Sequence, residues 1–202
     1  MVVIVLSLSS CLSTEVDLDL RDPTVSRLAI TYRMPRSLWD LGVFDEASPE
    51  RAIPVSERDA RETAGLYADV ELESYELQQG EELVTVTVAY SAGSAQSLAA
   101  LWGRNGATGL DLDYGAGYIE IPVAQATGPV DEEQRNLITE AFRGQYFDLR
   151  VRTPAPAELN SPSMVPGTVE RNGETDLQWR ANMAELLLQT QAPTVTVQWS
   201  PR

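Results

Sequence analysis

Glu82-Leu83-Val84-Thr85-Val86-Thr87-Val88-Ala89-Tyr90 is the stretch whose pattern decides the fold. Val84, Val86 and Val88 alternate with Thr85 and Thr87, so one side of an extended chain is apolar and the other wet. Both sets are β-branched, the residue type that fits a pleated surface. A β segment over 69–78 precedes it, split off by Gly80. The same period of two occurs near the start, where Val16, Leu18 and Leu20 alternate with Asp17 and Asp19. Asp22-Pro23 reads as a turn, and 25–34 as the hairpin partner of that first strand.

The rest of the chain mixes short helices with further strands. Pro35 opens a helix that Gly42 closes, with Leu38 and Leu41 on one face. Residues 45–55 read as loop. Ser56, with Asp59 three residues on, caps a helix running to about Leu66. A helix over 94–102 starts at the N-cap Ser94, and 103–109 is loop. Strands over 110–114 and 118–123 pivot on Gly115-Ala116-Gly117. A helix over 131–142 carries acids in its first turn, where the helix dipole favours them, and a strand over 145–152 follows. Pro154, Pro156, Pro162 and Pro166 make 153–167 a flap or a linker. Asn172-Gly173 marks a tight hairpin between 168–171 and 174–180, then come a short helix over 182–188 and a strand over 194–199. The expectation is an α+β fold with a mostly antiparallel, curved sheet of about nine strands and about four short helices. First and last elements are both strands, which favours one domain over 11–202.

Cys11 is the only cysteine. It follows an apolar run over 2–8 and the tripeptide Leu8-Ser9-Ser10. This arrangement resembles a bacterial lipobox, in which the cysteine sulfur receives a diacylglycerol and the segment before it is removed. The short uncharged run and its small-residue exit are those of a signal segment over 1–10. It departs from the pattern in opening without Lys or Arg; the first basic residue is Arg21. The run is too short to span a bilayer, which takes roughly 20 apolar residues. A buried edge strand ending in a core cysteine is the bland reading of the same residues. The lipobox reading places the protein in the bacterial cell envelope, on the periplasmic leaflet or the outer surface, held to the membrane through acyl chains on Cys11. Only Leu12, Ser13 and Thr14 separate that cysteine from the first alternating strand, so the domain is held close to the bilayer.

Charge and composition exclude much chemistry. Thirty acids against fifteen bases give a net charge of −15, and no basic cluster interrupts it. Such a surface repels phosphate backbones, so no nucleic-acid partner is expected. It also repels anionic head groups, which leaves acyl chains as the means of membrane attachment. Every basic residue is arginine: the chain has no lysine and no histidine. Without histidine there is no Ser-His or Cys-His nucleophile pair, and without lysine no Schiff base. With Cys11 lipidated, no thiolate or imidazole remains for zinc, haem or iron–sulfur ligation. No cofactor, no metal and no catalytic residue is expected, and the protein reads as a non-enzyme.

Several stretches resemble the LppM-like lipoproteins of mycobacteria and related spirochaetal lipoproteins: the Cys11 lipobox, the Val16-Asp17-Leu18-Asp19-Leu20 strand, Thr31-Tyr32-Arg33 within the second strand, Asn172-Gly173 with Trp179, and the closing strand with Trp199. The match covers the two ends of the chain and follows the middle by element order. The resemblance implies a sheet curved around helices, enclosing a cavity for lipid or glycolipid, and carries over no catalytic residue.

Three constellations remain. Asp17, Asp19, Asp111 and Asp113 supply carboxylates from two strands, the ligand type of Ca²⁺, yet no Asp-x-Asp-x-Asp-Gly loop accompanies them and wet strand faces account for them. A carboxylate pair also suits a glycosidase, but nothing marks two acids among thirty. Trp39 and Trp102, beside Leu38 and Leu41 and on the 94–102 helix, are candidates for the mouth of an apolar pocket; core packing is the plainer account. The leading expectation is a lipid-anchored protein binding a lipid or other apolar ligand near the membrane. Its rival is a structural or interaction protein: a subunit of an envelope complex with an envelope protein partner, or a surface protein contacting a host or neighbour. A large cavity speaks for the first, a solid core for the second.

Overall fold

Alternation builds the first sheet as it reads in the sequence. In the computed structural model, which describes residues 13–22, 24–40, 54, 56–102, 116–124, 129–160 and 167–200, strands β1 (Ser13–Asp19) and β2 (Ser26–Pro35) pair antiparallel, with Val16 opposite Ile30 and Leu18 opposite Leu28. β3 (Val70–Gln79) and β4 (Leu83–Ala92) follow, β4 lying against β2 with Val88 opposite Ile30. A bulge between Leu72 and Ser74 adds one residue to β3. It keeps Tyr75 and Leu77 on the face of Val70 and Leu72, because one extra residue inverts the alternation beyond it.

β1 is also paired on its other edge. β6 (Tyr146–Arg152) runs parallel to it, with Leu149 beside Val16 and Val151 beside Leu18. β9 (Asp176–Asn182) and β8 (Gly167–Arg171) extend the sheet antiparallel from β6. The seven-stranded order is β3-β4-β2-β1-β6-β9-β8. A separate three-stranded antiparallel sheet has the order β5-β10-β7, built from β5 (Gly117–Pro122), β7 (Ala157–Asn160) and β10 (Thr194–Trp199). The fold is α+β, and its ten described strands fall into a mixed sheet and a small antiparallel one rather than a single curved sheet.

Four short helices and one helical turn fill the space around the sheets. The turn α1 (Arg36–Trp39) leaves the end of β2, and α2 (Glu57–Ala64) starts at Ser56, whose side chain accepts from the Asp59 N–H at 3.1 Å. α3 (Ala95–Trp102) starts at Ser94, whose Oγ accepts from the Ser97 N–H at 3.2 Å. α4 (Glu132–Ala141) opens with a reciprocal capping box between Asp131 and Gln134. α5 (Met183–Leu187) is capped by Asn182. The inner face of the large sheet, with Val84, Val86, Leu149, Val151, Leu177 and Trp179 fully buried, meets Leu98 of α3, Ile119 of β5, and Val195 and Val197 of β10 in one continuous core.

Two sequence readings are corrected here. Residues 153–160 are not a flap or linker: β7 forms there, Ala157 and Leu159 are buried, and Leu159 lies opposite Val197 of β10. The Asn172-Gly173 hairpin is wider than a two-residue turn: beyond Arg171 opposite Leu177 it closes where the Asn172 N–H donates to the Asp176 carbonyl at 3.0 Å, leaving 173–175 as the loop. The cause is competition for backbone groups. The Glu174 carbonyl accepts from the Ala157 N–H at 2.8 Å and the Thr175 carbonyl from Thr153 at 2.9 Å, which draws 174–175 out of the hairpin ladder. Cys11, Leu41, the 110–114 strand, and Asp111 and Asp113 lie outside the described residues.

Two tryptophans lie flat over glycines on neighbouring strands. A Cβ on Gly117 would stand 2.4 Å from Cζ2 of Trp199, and one on Gly167 would stand 2.1 Å from Nε1 of Trp179. Both indoles are buried and have no room to retreat. Gly117→Ala and Gly167→Ala are each expected to destabilise the fold by about 1–3 kcal/mol, the cost of overpacking a filled core. Urea unfolding followed by circular dichroism reads this directly; an unchanged midpoint in both variants would show that the rings do not sit on these glycines.

Candidate functional site

Of the residues expected at a pocket mouth, Trp102 borders a small void between the two sheets and Trp39 does not. Trp102 packs edge-on against Phe147, ring centroids 6.2 Å apart at 60°, and Phe147 packs in the same way against Trp179 at 6.1 Å and 61°. This is an aromatic chain running into the core. Trp39 is half-buried and rests against the core from α1, where the Leu38 backbone also lies; the Leu38 side chain and Leu41 are outside the described residues. Between the two sheets, Trp102, Leu98, Val16, Leu18, Leu28, Ile119 and Leu149 surround a void of only about 10 Å³. A void of that size holds at most one water, and an acyl chain has no room in it.

The outer face of the seven-stranded sheet is a lattice of ion pairs across strands. Arg150 of β6 grips Asp176 of β9 through Nε at 2.9 Å and Nη2 at 2.5 Å, a two-pronged contact suited to the guanidinium fork. Arg152 reaches Asp17 and Asp19 on β1, Arg33 of β2 pairs with Glu15 of β1, and Arg27 of β2 pairs with Glu73 of β3. Asp17 and Asp19, weighed above as calcium ligands, are thus held by arginines. Among the described residues no group of three or more acidic, cysteine or histidine side chains is placed to hold a metal ion.

These contacts set the carboxylate protonation. Hydrogen bonds from Arg21 hold Asp19 below the usual carboxylate range, with Arg152 adding to the effect and partial burial opposing it. Arg150 does the same for Asp176. Asp148 is pushed the other way by burial, which the nearby Arg180 only partly offsets.

A cleft of about 540 Å³ opens where one end of the small sheet meets the turn after β8. Cross-strand register puts Tyr118, Gln198 and Glu158 in one row over β5, β10 and β7, and Gly117, Trp199 and Ala157 in the next. Arg171, at the end of β8, and Glu174, in the turn, close the cleft from the large sheet. The Glu174 carbonyl bond to Ala157 ties the two walls together. Neither Trp39 nor Trp102 lines it. Sequence reasoning missed these residues because they come from four separated segments and form no motif; the Gly115-Ala116-Gly117 pivot before Tyr118 was the one local irregularity pointing there.

No protein-family model matches the chain, and no curated protein is found to be similar to it.

The depressed Asp19 and Asp176 values have a definite sign in stability. Their ion pairs stabilise the fold at pH values above the unfolded carboxylate value of about 3.9, and that stabilisation is lost as the pH falls through the lower folded-state values. Asp19→Asn combined with Asp176→Asn is expected to lower stability at pH 7 and to flatten the acid limb below about pH 4. Urea midpoints taken from pH 7 to pH 2 test this; parallel limbs in variant and parent would mean that the pairs do not drive acid unfolding.

Proposed function

We propose that this chain is a non-catalytic, lipid-anchored protein of the bacterial cell envelope that acts by binding at its surface. The observation that carries the surface-binding part is the filled interior: the space between the sheets amounts to about 10 Å³, while the large open volume lies outside the core. A carrier of lipid needs an interior able to bury an acyl chain, and the described residues supply none. This favours the interaction reading over the apolar-ligand reading that the LppM-like resemblance implied.

The anchor is supported by the sequence around Cys11, an apolar run followed by Leu8-Ser9-Ser10. Cys11 stands two residues before Ser13, where β1 begins, a reach of about 7 Å for extended chain. Lipid on Cys11 would therefore hold the Ser13 end of the sheet at the bilayer. The absence of histidine and lysine from the sequence removes the common nucleophile and base pairs, which supports a binding role over a catalytic one.

Metabolic labelling with an alkyne fatty acid in a bacterial host tests the anchor. The wild-type chain is expected to take up label and sediment with membranes, and Cys11→Ser to lose both. Label retained in Cys11→Ser would refute lipidation there. Native mass spectrometry of the Cys11→Ser chain, purified without detergent, tests the surface-binding part. A bare protein mass is expected; an added mass that extracts into organic solvent would restore the carrier reading.

A further inference from the structure

We propose that the cleft walled by Tyr118, Gln198, Glu158, Arg171 and Glu174 binds a neutral, polyhydroxylated ligand, a saccharide segment. The inference rests on the surface-binding reading above and adds the chemistry of what is bound.

Size comes first. At about 540 Å³ the cleft falls within the range of small-ligand sites, about 300–1,000 Å³, whereas the interior void does not. Its lining then narrows the ligand. Tyr118, Gln198 and Glu158 occupy one cross-strand row, so their side chains leave the same face of the sheet on strands about 4.8 Å apart. The row presents an aromatic plate, an amide and a carboxylate side by side. Tyr118 is 37% exposed, a large ring surface left in water. Carboxylate, amide and guanidinium heads each offer two polar atoms in a plane, a spacing that suits adjacent hydroxyl groups.

Charge excludes the main competitors. The cleft has two carboxylates against one guanidinium, in a chain of net charge −15, so a phosphate or another anion is repelled. An acyl chain would strip water from Glu158 and Arg171 without replacing their hydrogen bonds. Arg171 makes no ion pair with a described residue, whereas Arg150, Arg152 and Arg180 of the adjoining strands are all paired. Its donors are available. Gly117, Trp199 and Ala157 line the same cleft from the next row of the small sheet.

Position excludes the bilayer as the source of the ligand. Arg171 lies opposite Leu177, Leu177 opposite Val151, and Val151 beside Leu18. The cleft is therefore at the Asp19 end of β1, a strand length away from the Ser13 end that leads to Cys11. For the seven residues of β1 that is about 20 Å.

The test uses the full chain carrying Cys11→Ser, probed with an array of neutral oligosaccharides that includes maltotetraose, cellotetraose and tetra-N-acetylchitotetraose. Hits are titrated by tryptophan fluorescence. Inorganic phosphate and phosphatidylglycerol vesicles serve as contrasts. At least one neutral oligosaccharide is expected to saturate. Tyr118→Ala should weaken it by about tenfold or more, Arg171→Ala should weaken it too, and Tyr118→Phe should stay within about threefold of the parent. Unfolding midpoints should be unchanged, since Tyr118 and Arg171 are exposed. No oligosaccharide bound, binding indifferent to Tyr118→Ala and Arg171→Ala, or preference for phosphate or vesicles would overturn the proposal. Loss of the Cys11 anchor in the labelling experiment would leave these titrations untouched, so the two readings fail separately.

Discussion

The parallel contact between β1 and β6 is the constraint on which the rest of the structure depends. On one side of it stand β2, β4 and β3, built from residues 13–92; on the other stand β9 and β8, built with β6 from residues 146–182. No hairpin joins these halves. Their hydrogen bonds form only after a loop of more than a hundred residues has closed, a cost that grows slowly with length but must be met before any contact rewards it. Burial supplies the reward: Val16 and Leu18 meet Leu149 and Val151 across the join, and Leu18 and Leu149 also border the small void beneath α3. Arg152 clamps the wet side of the same join by reaching Asp17 and Asp19.

That clamp belongs to a wider division of charge. The chain has twice as many acids as arginines, and on the outer face of the large sheet four arginines pair with carboxylates of the neighbouring strand, while Arg27 of β2 reaches over β4 to Glu73 of β3. Pairs this exposed contribute little each, about 0–1 kcal/mol, so their use is not mainly stability. They fix register, since a one-residue slip would turn every arginine inward and every valine outward. The unmatched acids collect elsewhere. Glu71 and Glu76 lie on β3, an edge of the large sheet, where charge discourages another strand from adding on.

Much of this fold was legible because alternation is a local signal. Val84 to Val88, Val16 to Leu20, and the caps at Ser56, Ser94 and Asp131 are each read from a handful of adjacent residues, and each appears where its pattern places it. What the sequence hid was partnership. Nothing in Tyr146–Arg152 says that it lies beside β1, or that β10 leaves the large sheet to pair with β5 and β7. Prolines at 154, 156, 162 and 166 disguised β7, which needs only four residues because β10 supplies its ladder on one side. The cleft was hidden for the same reason. Trp39 and Trp102 attracted attention as large rings near leucines, but a ring that caps a pocket and one that fills a core look alike until neighbours such as Phe147 are placed.

The two ends of β1 give these observations a common direction. Its Ser13 end follows Cys11 by two residues; its Asp19 end lies in the row that carries Arg171, and so beside the cleft. Under the proposed anchor at Cys11 and the proposed cleft site, a protein held at the bilayer by one end and making contact at the other has no need to store a ligand between them. A filled core serves that arrangement better than a hollow one, because a rigid body of about 20 Å sets the standoff between anchor and binding face. The net charge of −15 adds to it, since an acidic body is repelled by an anionic membrane surface. On this reading the acidity, the short tether and the solid core are three parts of one device, which presents the Tyr118 and Arg171 cleft to whatever lies beyond the lipid head groups.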